Sequence, residues 1–139
     1  MTNILFNKDK TKVSSKWGDY ISNKGWIAIP SSIIKNQKKL NITSSELNII
    51  LILLSYWWEE DNLPFPSKKL MADIIGCDIS TIRRNIKSLE DKGLINREYR
   101  KQPIVDGKYK NQSNKYNFKG LIDKITEFEL QEDFIKIYK

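Results

Sequence analysis

Ser80, Thr81, Arg83, Arg84 and Lys87 fall within one short stretch of the 139-residue chain. Their offsets place them on or beside one flank of a helix winding at about 3.6 residues per turn. Hydroxyls and cations in that pattern hold anions or the acceptor edges of bases, and a guanidinium fork matches a phosphate or the edge of a guanine two bonds at a time. A second basic set follows: Arg97, Arg100, Lys101, Lys108, Lys110 and Lys115. Bond-breaking chemistry has few candidates by comparison. With no histidine and one cysteine, Cys/His zinc sites, Cys–His and Ser-His-Asp nucleophiles and an internal disulfide framework are all excluded. The six glycines, at 18, 25, 76, 93, 107 and 120, match neither a phosphate-binding loop nor a dinucleotide fingerprint, so we expect no cofactor. Glu59-Glu60-Asp61 could hold Mg²⁺, but at a helix end before prolines it reads as a solvated face, and we expect no metal site.

Charge is distributed unevenly. Residues 1–42 carry eight Lys against two Asp, and residues 83–119 carry eleven Lys and Arg against four acids. Residues 43–82 carry two Lys against six acids, and residues 120–139 three Lys against five. The stretch 83–119 therefore holds a net positive charge equal to the +7 of the whole chain, a concentration that suits a polyanion better than a small acidic molecule. At 40% hydrophobic the chain can bury one core, and its length suits one domain. No apolar run reaches the roughly 20 residues of a bilayer span. With a single thiol and no secretory leader, the expectation is a cytoplasmic protein that does not associate with a membrane.

These side chains need elements to position them. Residues 1–25, rich in Lys, Asn and Ser, read as a basic arm, flexible or partly docked. Trp26-Ile27-Ala28-Ile29 before Pro30 reads as a short strand, followed by one helical turn to Lys35. A buried helix is expected from Thr43 to Glu60, with Thr43, Ser44 or Ser45 as cap; on it, Tyr56-Trp57-Trp58 read as core rather than as a base-stacking platform. Ser67 caps a short helix from Lys68 to Ile75, and Gly76 supplies the turn. Asp78 caps a helix that buries Ile82, Ile86 and Leu89 and ends at Gly93. Leu94–Arg100 and Asn114–Phe118 then form a hairpin whose tip runs from Lys101 to Ser113. Leu121, Ile125 and Phe128, then Ile135 and Tyr138, suit one or two amphipathic helices in the tail.

Helix, short helix, Gly turn, helix and hairpin, in that order, is the pattern of a helix-turn-helix with a β-wing. In PSKKLMADIIGCDISTIRRNIKSLEDKGLI, Ala72 lets the two helices approach and Cys77 plugs the turn. Ile79, at a position more often polar, either touches a thymine methyl or folds back on the core; we favour the core. The stretch from GWIAIPSSII to KYNFKGLI, about residues 25 to 122, resembles the winged helix-turn-helix domains that open phage and plasmid replication initiators, and similar plasmid-borne DNA-binding accessory proteins. The expected fold is α+β, mainly α, with the arm at 1–25, the winged helix-turn-helix at 26–120 and a C-terminal helical extension at 121–139.

The resemblance implies sequence-specific binding of double-stranded DNA in replication initiation, DNA transfer or transcription control on a mobile element. Ser80, Thr81, Arg83, Arg84 and Lys87 would contact bases or phosphates. The wing cations Arg97, Arg100, Lys101, Lys108, Lys110 and Lys115 would straddle a phosphate backbone or enter a neighbouring minor groove, and the arm would add phosphate contacts. The chain would act as a homodimer or as an array on DNA. The alternative is an adaptor, docking a replication or transfer protein through the tail stripe, with DNA secondary. A metal-dependent nuclease built on Glu59, Glu60 and Asp61 is the third reading; we expect no enzyme. The leading reading requires the cations of 83–119 to converge on one side and the outer flank of the second motif helix to stay uncovered.

Overall fold

The computed structural model describes residues 8–103 and 109–138, with side chains described for residues 12–99 and 114–138. The chain is mainly helical with a two-stranded antiparallel sheet, the arrangement of a winged helix-turn-helix. Its centre is α5 (Ser44–Ser55), which runs Leu-Asn-Ile-Ile-Leu-Ile-Leu-Leu and is apolar on nearly every side. Such a helix must be covered all round. α3 (Ser31–Lys35), α4 (Gln37–Leu40), α6 (Lys68–Ile75) and α7 (Ile79–Asp91) contribute the covering side chains. Ile33, Leu40, Met71, Ile82, Ile86 and Leu89 join Ile49, Ile50 and Leu53 in one buried cluster.

The start of α5 is fixed by a capping box: the Thr43 hydroxyl accepts from the Glu46 N–H, and Glu46 Oε1 accepts from the Thr43 N–H. Glu46 is only 1% exposed. Its carboxylate also accepts from Lys92 Nζ at 2.7 and 2.9 Å, and the same ammonium donates to the Asn41 carbonyl. Lys92 is the C-terminal cap residue of α7, so one buried ion pair ties the end of α7 to the beginning of α5. Burial alone would raise the Glu46 carboxyl, yet bonds from Lys92, Thr43 and Ser88 hold it below the ordinary carboxylate value.

α6 begins at Ser67, whose hydroxyl accepts from the Leu70 N–H. It ends at Gly76 with φ 81°, where an L side chain would be strained and glycine is not. Ala72 is buried where α6 meets α7, and Cys77 and Ile79 pack partly buried against the core. Ile79 thus folds inward, as favoured. Asp78 sits at the N-cap position of α7 in extended conformation, but its side chain makes no capping hydrogen bond; the expected Asp78 cap is one of position only.

Three further expectations are corrected. Residues 26–29 form no strand; the sheet among the described residues has two strands, β1 (Asn96–Pro103) and β2 (Tyr109–Asn117). The Tyr116 N–H, on β2, donates to the Pro64 carbonyl of the proline loop at 3.0 Å. The central helix stops at Ser55, five residues short of Glu60. Of the three aromatics beyond it only Trp57 packs, stacking on Phe118 at 5.0 Å, while Trp58 is 82% exposed with its indole N–H donating to the Ser55 carbonyl. The expectation of all three as core fails because they follow the helix rather than lie on it. Finally, the hairpin is longer and its tip shorter than expected: pairing continues from Asn96↔Asn117 to Pro103↔Tyr109, with a bulge between Glu98 and Arg100.

The tail is one helix, α8 (Lys119–Tyr138). It enters by close backbone approach: a Cβ on Gly120 would lie 1.8 Å from the Gly93 carbonyl oxygen, and the Leu121 N–H donates to the Leu94 carbonyl at 2.9 Å. Leu121 and Ile125 are buried, and Ser32 Oγ donates to Glu129 Oε2 at 3.1 Å, fastening α8 to α3. At the other end, α1 (Lys8–Trp17) and α2 (Asp19–Lys24) occupy the segment expected to be an arm.

Candidate nucleic-acid interface

α7 divides its side chains by spacing. Ile82, Ile86 and Leu89 recur at i, i+4 and i+7 and are fully buried. Ser80, Arg83, Arg84 and Lys87 are exposed and Thr81 is half-buried. The outer flank of α7 is therefore uncovered by its own chain. On it, Arg84 Nη2 donates to Thr81 Oγ1 at 3.2 Å, and Lys87 lies 3.6 Å from Asp91 with both groups well exposed. Such exposed contacts are worth little and are readily exchanged for a stronger anion.

The wing joins this flank through Arg97. Its guanidinium donates to Glu90 on α7, Nε at 2.8 Å and Nη2 at 2.6 Å. The bonded Glu90 carboxylate raises the Arg97 pKa further, against the lowering effect of burial. Arg97 is thus a brace that fixes the base of the hairpin against α7, and its charge is already paired with Glu90. Lys115 is half-buried and stands opposite Glu98 in the ladder. Glu98 also accepts from Asn117 Nδ2 at 3.0 Å. Arg100, Lys101 and Lys110 lie on the paired strands, but their side chains fall outside the described residues, as does Lys108 altogether.

Two residues that the sequence reading passed over belong here. Lys68, the first residue of α6, is half-buried. Its pKa is lowered first by burial and then by the positive charges of Arg97 and Arg83, with Glu90 opposing. Lys68 therefore feels the charges of both Arg83 and Arg97 where α6, α7 and β1 meet. A lysine in the first turn of a helix runs against the helix dipole, and that anomaly was the available signal. Tyr99, on β1 at the bulge, is 76% exposed; nothing in the sequence marked it.

Convergence is not complete. Lys92 is turned inward onto Glu46, and Lys119 pairs with Asp123 at 3.2 Å on α8. What remains near α7 is a cationic ridge of Arg83, Arg84, Lys87 and Lys68, with the Arg97–Glu90 brace at its edge and exposed Asp78 at the start of the helix. Glu59, Glu60 and Asp61 are exposed in the turn closed by the Glu59↔Asn62 bridge. No helix among the described residues is long and apolar enough to cross a membrane.

Three comparisons with known proteins bear on this geometry. Residues 40–95 match a family model described as a helix-turn-helix domain. No curated protein sequence matches the chain. A solved structure described as a possible transcriptional regulator from Methanosarcina mazei Go1 is similar to it, at 23% identity and a TM-score of 0.46, over 73% of this chain and 78% of that one. The family match takes in α5, α6 and α7 with the turns between them and stops at Ile95, one residue before the wing, so residues 40–95 are similar to a helix-turn-helix domain in sequence as they are in fold.

Proposed function

We propose that this chain is a non-enzymatic, cytoplasmic protein that binds double-stranded DNA, with α7 lying in the major groove and the β1–β2 wing against the backbone. The observation that carries this reading is the uncovered flank of α7, where Ser80, Arg83, Arg84 and Lys87 face solvent while every apolar side chain of the helix but the half-buried Ile79 is fully buried. A helix fits the ~12 Å width of the major groove. Phosphate contacts from Lys68, Lys87 and the wing supply affinity; Arg83 and Arg84 supply base choice.

On this reading the chain acts on a mobile element, a phage or plasmid, in replication initiation, DNA transfer or transcription control. It holds DNA and does no chemistry on it. The test is a salt series with duplex DNA: neutralising about six phosphates gives a slope near −5 in log affinity against log salt, whereas a slope near zero removes the proposal. Selection of bound duplexes from a random pool then gives the site; a palindrome implies a symmetric pair of chains and direct repeats an array.

A further inference from the structure

The two ends of the chain carry apolar surface that the body does not use. α8 has two apolar faces. Leu121, Ile125 and Phe128 lie within about 60° of one another around the axis, and Leu130, Phe134 and Ile137 form a second line about 180° away. The first line is buried or half-buried against the body. The second is in solvent, with Leu130 63%, Phe134 61% and Ile137 74% exposed, and the Phe134 ring lies against Tyr138, with ring centroids 4.5 Å apart. Glu127 continues that second line toward the start of the helix, beyond which Asp123 is paired with Lys119, and Asp133 flanks it.

The N-terminal pair, α1 and α2, is inside out. Among its described side chains the buried one is a serine: Ser22 is buried and its hydroxyl lies 3.0 Å from that of Ser14. The residues a helical hairpin ordinarily buries are outside, with Trp17 65% and Tyr20 74% exposed and Ile21 also in solvent. Around them stand the exposed lysines Lys12, Lys16 and Lys24, the last with its ammonium 5.1 Å from the Tyr20 ring centroid. One surface is therefore apolar and edged by acids, the other apolar and edged by lysines.

We infer that two copies of this chain pair by reciprocal exchange, the α1–α2 arm of each packing on the outward face of the other's α8. Each copy offers both surfaces, so one two-fold association closes both. Charge selects the pairing: Lys12, Lys16 and Lys24 meet Glu127 and Asp133, whereas α8 against α8 would set these acids against each other. Area supports it as well. Trp17, Tyr20, Ile21, Leu130, Phe134, Ile137 and Tyr138 together expose roughly 900 Å² per chain, close to the ~800 Å² per partner of a standard stable interface. The arm lysines are then spent on the second copy and not on DNA phosphates.

The experiment is sedimentation velocity with light scattering on the full chain, without DNA, so that it stands or falls apart from the DNA reading. The expected mass is twice 16.3 kDa at tens of micromolar. Phe134→Glu with Ile137→Glu gives a monomer, and Trp17→Glu with Tyr20→Glu gives the same result from the other surface. Lys12→Glu with Lys16→Glu weakens association about tenfold, and adding Glu127→Lys with Asp133→Lys restores it. A mass of 16.3 kDa at every concentration overturns the inference. So does a dimer lost with the Phe134 pair of changes but indifferent to the Trp17 pair and to the lysine reversals, since α8 would then meet α8.

Discussion

Replacing Glu46 with Gln removes the buried carboxylate that joins the two ends of the motif while leaving its shape in place. Two charged bonds from Lys92 at 2.7 and 2.9 Å are lost. A bond to a charged group is worth about 1.5–3 kcal/mol, and breaking a buried pair costs about 3–5 kcal/mol. The Lys92 side chain keeps 24% exposure and regains water when unpaired, so the lower end applies and we expect a loss of about 3 kcal/mol, or about 10 °C in Tm for a domain of this size. The assay is urea unfolding of Glu46→Gln and wild type between pH 7 and pH 3. Because the folded Glu46 value lies below the unfolded one of 4.5, its contribution is full above 4.5 and fades as the pH falls through the lowered folded value. The gap between the two proteins should therefore close in acid. A gap under about 0.5 kcal/mol at pH 7, or one that stays constant down to pH 3, refutes the reasoning.

Other outcomes follow from the same geometry. Arg83→Ala or Arg84→Ala should cost about 1–3 kcal/mol on a selected site and flatten base preference, while wing lysine changes lower affinity evenly across sequences; fluorescence anisotropy with matched and mismatched duplexes checks both. Lys68→Ala should reduce the salt slope by about one unit with no change in the selected sequence, because it removes one phosphate contact. Asp78→Asn should raise affinity for any duplex about threefold at low salt, since it removes an exposed negative charge that makes no cap bond at the start of α7. Gly120→Ala should cost more than about 3 kcal/mol in chemical unfolding, because the added carbon meets backbone at 1.8 Å and not a side chain that can move.

The motif was legible because it is local. Ser67, Gly76 and the Ile82, Ile86, Leu89 period each state a rule that neighbouring residues enforce, and α6 and α7 fall within two residues of their expected bounds. Where the outcome depended on distant partners the reading failed. Whether residues 26–29 pair depends on the edge of β2, where Tyr116 bonds to Pro64. Trp57 and Trp58 differ in which of them meets Phe118, just past the end of β2 and some sixty residues away along the chain. The ion pairs Glu46–Lys92 and Arg97–Glu90 were invisible for the same reason, and they decide which cations remain for a ligand. The tail was read as one apolar stripe, because spacing shows a face without showing that a second face opposes it.

The account rests most heavily on α7 being the surface that meets duplex DNA. Amide chemical-shift mapping of the labelled protein against a 20-base-pair duplex tests this directly. The predicted result is that Ser80, Thr81, Arg83, Arg84 and Lys87 shift together with Lys68, while the amides of Leu130 to Ile137 in α8 do not. Shifts confined to α8, or spread over the surface without involving α7, would contradict it.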